Sequence, residues 1–411
     1  MRFVFALLLA LVPPALSAQP AALPALPGNP AADAPLAPDA PAVPSRLSDA
    51  AVVSLVTAMP GEEVWQLFGH TFLRVRDPLT RLDRTYNYGT FDFAQPHFVL
   101  RFARGQLDYT LTTPPYARTE PSYVYERRGL IEQTLDLAPD EAQRLYALLE
   151  TNALPGNREY RYDFFFDNCS TRPLDMLELA LGTRLVDPSD RDSRTFRDLI
   201  QPYLHVHPLT DFGIDLALGL PTDDVATERQ TTFLPLELME ALDAARVDGR
   251  PLVSRTDTLF WAPPISTRPA AFDWPLALGW ALFGVGLIAS VREARRGFVG
   301  RGRIDGLLFW TAGLAGLVIF LLWTATEHPT TGPNLNLLWA WPTHLIYAVA
   351  LARGSTSGWI DRYGWIAGVA TALVALAWPL WPQALPAPAW PLALLLALRL
   401  LMRARFPHRA E

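Results

Sequence analysis

The sequence contains no lysine and only one cysteine, Cys169, among its 411 residues. Without lysine, a Schiff-base enzyme and the lysine of a phosphate-binding loop are both excluded. A single cysteine also excludes an intramolecular disulfide, so the compartment must be inferred from targeting signals. Charged residues are scarce, at 18%, and the formal net charge of −6 shows none of the basic excess typical of nucleic-acid binding.

Two further kinds of site lack their sequence signatures. The one cysteine and seven scattered histidines show none of the ligand spacings of zinc sites. The G-x-S-x-G turn of serine hydrolases is also missing. We therefore expect no metal, no cofactor and no nucleic-acid partner.

The N-terminus resembles an export signal. Residues 1–18 begin with one arginine, continue as an apolar run and end in the small residues Ser17 and Ala18, which predicts a signal peptide. An uncleaved anchor is the alternative, and it would leave the next domain on the same side of the membrane. Residues 19–46 are rich in proline and alanine, which predicts an extended linker.

Residues 47–260 have the pattern of an α+β domain. Short apolar segments bounded by turn residues predict five strands, over residues 51–58, 70–77, 84–93, 105–113 and 128–137. A helix is predicted over 139–152, which has a proline and two acidic residues in its first turn.

The composition changes at Phe272, after which long apolar runs dominate. Runs near 274–291, 306–326, 337–352, 364–381 and 389–402 predict an all-α membrane domain of about five transmembrane helices over 272–403. The loop 292–303 carries five arginines against one glutamate, and the tail 404–411 is also basic. Basic loops stay in the cytoplasm, which predicts a multi-pass protein of the cytoplasmic (inner) membrane with its N-terminal domain in the periplasm.

Cys169 lies in the stretch "DNCSTRPLDMLELALG", which is typical of a helix start. Asp167 or Asn168 could cap the helix, and Pro173 suits its first turn. A helix N-terminus lowers the pKa of a thiol, and its free N–H groups could hold an oxyanion. The alternative is that Cys169 is simply a buried apolar residue, as free cysteines often are.

A cysteine nucleophile needs a base, and His70 is the best placed of the histidines. It begins the predicted strand 70–77, and Gly69 before it would allow another backbone to approach closely. A strand histidine facing a cysteine at a helix start is the arrangement of papain-type enzymes. The neighbouring strand offers Asn87 and Asp92 to orient the imidazole ring, and we predict Asn87.

These residues belong to motifs that resemble the Lnb N-terminal periplasmic domain family. The motifs are "FGHTFLRV", "YNYGTFDF", "NREYRYDFFFDNCSTRPLDMLE" and "TTFLPLELMEAL", and the resemblance covers roughly residues 48–250. The stretch "TEHPTTGPNLNLLWAWPTHL" is similar to a second block of the family. The order of histidine before cysteine also resembles the permuted papain-like fold of the NlpC and lecithin:retinol acyltransferase enzymes.

The resemblance implies a membrane-bound cysteine acyltransferase, with Cys169 as the nucleophile and His70 as the base. An acyl chain would move from a lipid ester, either a lipoprotein diacylglyceryl group or a phospholipid, to an amine through a thioester. The expected partners are therefore membrane lipid and a lipoprotein substrate. Asn87 is our own addition to this catalytic set and is not implied by the family.

Several other residues are candidates for substrate binding. We predict that Asn168 helps to bind substrate, because the family's acyltransferase relatives share the Asn-Cys pair. Glu327 and His328 lie at the predicted outer end of the second span and could contact a lipid headgroup or the incoming amine. The phenylalanines 164–166 could line an acyl groove or form a buried strand.

Two other functions stay open. A cysteine amidase or peptidase acting on cell-wall peptide would use the same Cys-His pair with water as the acceptor. A non-catalytic envelope assembly module would contain Cys169 only as a core residue, and it predicts that Cys169 and His70 lie apart.

Overall fold

The computed structural model describes residues 43–90, 98–106, 108–265, 269–299, 303–355 and 357–406. Within them the chain forms two compact units. The first unit contains the described residues up to Tyr203 and those of 225–265, and the second contains Leu204–Asp224 and the described residues from 269 onward. The predicted signal peptide, most of the predicted linker and the end of the third predicted strand lie outside the described residues.

The strands all belong to the first unit. In chain order they are β1 (Val52–Ala58), β2 (His70–Asp77), β3 (Leu82–Thr90), β4 (Asp108–Thr112), β5 (Leu130–Leu135), β6 (Glu159–Arg161), β7 (Arg191–Thr195), β8 (Val225–Thr227), β9 (Arg246–Val247), β10 (Arg250–Pro251) and β11 (Val253–Phe260). Seven of them form an antiparallel sheet in the order β11-β5-β1-β2-β3-β4-β6. The five predicted strands are confirmed within the described residues, with shorter bounds at several ends.

The helices occur in both units. In chain order they are α1 (Phe98–Ala103), α2 (Tyr116–Tyr125), α3 (Pro139–Asn152), α4 (Thr171–Leu181), α5 (Phe196–Leu204), α6 (Pro208–Ala217), α7 (Glu228–Thr231), α8 (Pro235–Ala244), α9 (Trp274–Arg296), α10 (Arg303–Ala325), α11 (His344–Ala352), α12 (Gly358–Leu376) and α13 (Ala389–Arg405). The prediction of α3 is confirmed at both ends. Helix α2 was not predicted, because Pro121 lies inside it and proline usually interrupts a helix.

The sheet of the first unit is covered on both faces, because successive side chains of a strand point to opposite faces. On β2, Leu73 and Val75 join a core that includes apolar residues of α3, α4 and α8. Phe72 joins a smaller core on the other face, together with residues of α2. Each leucine buried in this way contributes about 1.5–3 kcal/mol. The buried sheet is therefore a rigid support for residues at its ends.

Helices occur at all five predicted membrane runs of the second unit. Among the described residues, two helices are long and apolar enough to cross a membrane, over Trp274–Arg296 and Asp305–Ala325. Helix α11 has nine residues, or about 14 Å at the α-helical rise, against a hydrocarbon core of about 30 Å. The number of spans therefore stays a prediction.

The second unit also includes the segment 204–224, which the sequence analysis counted within the 47–260 domain. Its helix α6 ends against three buried amide side chains, Asn334, Asn336 and Gln383, which we call the amide clamp. The Asn334 Nδ2 donates to the carbonyl oxygens of Leu216, Ala217 and Leu218 at 2.9, 3.2 and 3.3 Å. The last carbonyls of a helix have no partner within it, so the clamp satisfies groups that would otherwise be unpaired.

Replacing Asn334 with alanine should weaken the attachment of residues 204–224 to the rest of the second unit. The Ala217 carbonyl then loses its donor from the clamp, while those of Leu216 and Leu218 keep only the donors from Asn336 and Gln383 at 3.5 and 3.1 Å. Leaving a buried carbonyl unsatisfied costs about 1–3 kcal/mol. We expect faster hydrogen exchange and faster proteolysis within residues 204–224. Thr324→Ala is the matched control, because its hydroxyl is exposed and bonds only to Phe320 of its own helix. Equal protection of the segment in the Asn334→Ala variant and the wild type would contradict this role.

Candidate active site

The predicted base is positioned by the start of strand β2. His70 is the first residue of β2 and pairs with Ala58, the last residue of β1. Gly69 just before it has φ +82°, and a Cβ at this position would lie 2.9 Å from the Ala58 carbonyl oxygen. Only glycine permits both that conformation and that approach. The backbone therefore requires glycine here to deliver His70 at the end of the strand.

A second glycine makes room where His70 and Cys169 meet. Gly89, on β3, has φ +93°, and the register of β3 and β4 shifts between Asn87 and Thr90. A Cβ at Gly89 would lie 3.5 Å from the Cys169 Cβ and 3.6 Å from the His70 Cε1. The imidazole and the thiol therefore meet above the backbone of Gly89, which has no side chain to separate them.

The predicted nucleophile comes from the turn that precedes helix α4. Asp163 and Asp167 pair through two backbone hydrogen bonds of 3.0 Å, which closes this turn. Cys169 follows and is only 9% exposed, and α4 begins two residues later. The prediction of a helix start beside the thiol is confirmed.

The structure brings together the three predicted catalytic residues. The Nε2–H of His70 donates to the Asn87 Oδ1 at 2.7 Å. His70 also forms a side-chain hydrogen bond with the Cys169 thiol. Because Asn87 occupies Nε2, Nδ1 is the nitrogen that faces the sulfur. The alternative orienting residue, Asp92, lies outside the described residues.

The electrostatics of the site favour a charged pair. Burial raises the pKa of the Cys169 thiol, but attraction to His70, a hydrogen bond from that ring and one from the Thr71 N–H outweigh it. The resulting pKa lies below the usual thiol value. Burial likewise lowers the pKa of His70, yet attraction to Cys169 and hydrogen bonds with Cys169 and Asn87 raise it above the usual value. Each group therefore stabilises the charged form of the other.

The side-chain amide of Asn168 forms all four of its hydrogen bonds within the first unit. Its Oδ1 accepts from the Ser170 and Thr171 N–H groups at 2.7 and 3.0 Å. Its Nδ2 donates to the Phe164 and Phe233 carbonyls at 2.7 and 2.9 Å. Asn168 therefore caps α4 and positions Cys169, and its predicted contact with substrate stays a prediction.

This cap changes the expectation for the oxyanion site. The N–H groups of Ser170 and Thr171 were expected to be available to an oxyanion, but Asn168 occupies both. Within the described part of the chain, the backbone N–H of Cys169 itself donates to no acceptor. It is the amide nearest the sulfur that stays available for a new bond.

Tyrosines surround the pair, and the sequence analysis did not single them out. The Tyr123 ring stacks on the His70 ring with centroids 6.4 Å apart. Burial, followed by charge on Cys169, raises the pKa of Tyr109 to about 12, and burial and the same charge raise those of Tyr160 and Tyr162. Tyr160 lies on β6 and Tyr162 directly follows that strand, and their spacing of two residues before the cysteine turn was the signal available in the sequence.

The phenylalanines before Cys169 form a turn, so the expectation of a buried strand there is wrong. Phe165 is buried against Phe196 and Phe233, with ring centroids 5.3 and 5.0 Å away, while Phe166 is largely exposed. Phe164 packs edge-on against Phe68 at 4.8 Å. The run thus fixes the cysteine turn to its neighbours.

The remaining candidates belong to the second unit. Glu327 is exposed and His328 is half-buried, and both follow helix α10. Their proposed contact with a headgroup or an amine stays a prediction. In the residues described by the structure, no group of three or more histidine, cysteine or acidic side chains is arranged to hold a metal ion.

The charged pair predicts how Cys169 reacts at different pH values. It is the only thiol, so alkylation by iodoacetamide reports on it alone. We expect the reaction to begin at a pH below that of an ordinary thiol, because imidazolium stabilises the thiolate. In His70→Ala the onset should move to higher pH, since burial is then opposed only by the hydrogen bonds from the Thr71 N–H and the Ser170 side chain.

Asn87→Ala should move the onset of alkylation in the same direction by a smaller amount, because the hydrogen bond to Asn87 helps to keep His70 charged. Asn157→Ala removes an exposed amide elsewhere in the unit and should leave the onset unchanged. A wild-type onset at the pH of a free thiol would contradict the charged pair.

Comparison with known families agrees with the resemblance of the motifs. Residues 43–201 match the Lnb N-terminal periplasmic domain, and residues 268–410 match the Lnb transmembrane domain. No curated protein and no solved structure shows significant similarity to the chain. The two domains indicate an integral inner-membrane protein with a periplasmic N-terminal region that takes part in lipoprotein processing. Because the two matches together cover more than half of the sequence, the chain belongs to the Lnb family.

Proposed function

We propose that the protein is a cysteine acyltransferase that moves an acyl chain from a lipid ester to an amine. The observation that carries this proposal is the hydrogen-bonded Cys169–His70 pair, with the ring oriented by Asn87. The thiolate is the nucleophilic form of cysteine, His70 stabilises it by lowering the pKa of Cys169, and the imidazolium is a ready proton donor. Membership of a lipoprotein-processing family supports a lipid ester as the donor.

In the first half-reaction the Cys169 sulfur attacks the ester carbonyl carbon, and a C–S bond forms. The carbonyl oxygen becomes an oxyanion, which the Cys169 N–H is placed to bind. His70 then gives its proton to the departing alcohol oxygen as the C–O bond breaks. The products are a thioester on Cys169 and a lipid that has lost one acyl chain.

In the second half-reaction an amine attacks the thioester carbonyl. Neutral His70 takes a proton from the amine nitrogen, the C–S bond breaks and the thiolate returns beside the imidazolium. An amide forms on the acceptor, so the site ends as it began. A lipoprotein N-terminal amine is the acceptor that the family membership favours.

The fold and membrane arrangement belong to the same proposal. A histidine on a strand that precedes a cysteine at a helix start supports a permuted papain-like domain over residues 47–260. We further propose about five spans over 272–403, with residues 1–18 as a signal peptide, 19–46 as a linker and 404–411 as a cytoplasmic tail. The apolar runs and the arginine-rich loops support this topology.

The contact between Cys169 and His70 favours an enzyme over a non-catalytic assembly module, which predicts that the two residues lie apart. A cysteine amidase or peptidase acting on cell-wall peptide would use the same pair with water as the acceptor. Family membership favours the acyltransferase, because cell-wall peptide is not a lipoprotein substrate. The experiment below separates all three.

The test uses the purified full-length protein with phospholipid and a diacylated lipopeptide that has a free N-terminus. Mass spectrometry follows the N-acylated lipopeptide, and a cell-wall peptide is tested in parallel. We expect product from the wild type, none from Cys169→Ser, and a rate reduced by about 10²–10⁴-fold in His70→Ala because general base catalysis is lost.

His205→Ala is the matched histidine control and should keep the wild-type rate, since His205 lies in the second unit outside the catalytic set. Cleavage of the cell-wall peptide without lipopeptide acylation would replace the acyltransferase by the amidase. No turnover of either substrate by folded protein would favour the non-catalytic module.

A further inference from the structure

One end of the sheet carries both His70 and a set of loops that the proposed reaction does not use. Strand β1 ends at Ala58, which pairs with His70 at the start of β2 and with Leu130 at the start of β5. Strand β11 ends at Phe260, which also pairs with Leu130. The segments 59–69, 126–129 and 261–262 therefore emerge at the same end of the sheet as the base.

These segments are packed against one another. The Met59 N–H donates to the Gly129 carbonyl at 2.8 Å, and the Arg128 Nε donates to the Met59 carbonyl at 2.9 Å. A Cβ on Gly129 would lie 3.2 Å from the Met59 Cγ and 3.7 Å from the Ala262 nitrogen. The three segments thus make one continuous surface beside His70.

Three large aromatic side chains stand exposed on this surface. Trp65, in a one-turn 3₁₀ helix over Val64–Gln66, is 60% exposed. Tyr125, at the end of α2, is 68% exposed, and Trp261 is 71% exposed. We call these three residues the aromatic rim. Aromatic area left in water forgoes about 25 cal/mol per Å² of burial, and clustered exposed apolar residues usually mark a binding surface.

The charged residues beside the aromatic rim indicate what kind of surface it can bind. Glu62, Glu63, Glu126 and Arg127 are all exposed beside it, so its local charge is net negative. An anionic surface would be repelled, and attraction must come from the aromatic rings. Tryptophan and tyrosine favour the headgroup level of a bilayer, where the ring is buried and its polar group stays wet.

The chain also connects the rim to a candidate membrane span. Trp274, thirteen residues after Trp261, begins the first of the two helices able to span a bilayer. Thirteen residues reach at most about 45 Å when fully extended. Trp261 is therefore tethered within that distance of the start of a candidate span.

We propose that the aromatic rim inserts into the headgroup region of the bilayer and holds the His70 end of the sheet against the lipid. This inference rests on the proposed function for its purpose, which is to admit an ester whose acyl chains stay in the membrane. It does not rest on that function for the contact itself. Because the attraction is aromatic, the contact should not require anionic lipid, and raising the salt concentration should not weaken it.

The experiment reconstitutes the full-length protein in nanodiscs that contain a phospholipid with a photoreactive group at headgroup level. After illumination, mass spectrometry maps lipid adducts along the chain. We expect adducts on peptides that contain Trp65, Tyr125 and Trp261, in Cys169→Ser as well as in the wild type. The adducts should be at least as abundant in neutral as in anionic nanodiscs.

Leu79 provides the matched internal control. It is 74% exposed but lies in the turn between β2 and β3, at the opposite end of β2 from His70. Its peptide should carry no adducts above background. The double variant Trp65→Gln and Trp261→Gln should lose adducts at the rim by about tenfold, since burial of an aromatic side chain is worth at least that factor in partitioning.

Adducts at Leu79 as abundant as at the rim, or rim peptides without adducts, would overturn the proposal. The Cys169→Ser variant reports on the lipid contact without any turnover. A negative acyl-transfer assay and an absence of lipid adducts at the aromatic rim are therefore distinguishable results.

Discussion

The hydrogen-bonded pair of the Cys169 thiol and the His70 ring is the interaction on which the rest of the site depends. Burial alone would leave both groups neutral, because it raises the pKa of a thiol and lowers that of an imidazole. In this site the mutual attraction and the surrounding hydrogen bonds outweigh burial, so each group stabilises the charged form of the other. A thiolate in a protected position is the reagent that attack on an ester requires.

Residues outside the pair hold both the His70 ring and Cys169 in position. Asn87 fixes the His70 ring through Nε2, and two glycines, Gly69 and Gly89, let the strand end and the cysteine turn come close. On the other side Asn168 joins the start of α4 to the phenylalanine turn and to the Phe233 carbonyl. The precision of the site therefore comes from a rigid sheet end and a capped helix, which limits the motion of both reacting atoms.

Local patterns in the sequence, together with the resemblance of its motifs, singled out the candidate catalytic pair. His70 was predicted at the start of a strand and Cys169 beside a helix start, because strand alternation and capping residues are local signals. The choice of Asn87 needed only the expectation that neighbouring strands pair. The number of membrane spans was harder, since helix α11 turns out too short for the criterion of length and hydropathy that α9 meets.

Structural features that depend on residues far apart in the sequence could not be predicted from local patterns. The occupation of two helix-start amides by Asn168 requires knowledge of the whole turn, including the carbonyl of Phe233, 65 residues away. Residues 204–224 pack in the second unit because Asn334, more than 100 residues later, bonds to the end of α6. Helix α2 was missed because its apolar contacts outweigh the cost of Pro121.

The most direct test of the account is to look for its covalent intermediate. The full-length protein would be incubated with phospholipid and a diacylated lipopeptide whose N-terminal amine is blocked, so that deacylation has no acceptor. The account predicts an added acyl mass on the Cys169 peptide that hydroxylamine removes and that Cys169→Ser lacks. Acyl transfer to an unblocked lipopeptide by Cys169→Ser at the wild-type rate, or turnover with no acyl mass on Cys169, would contradict it.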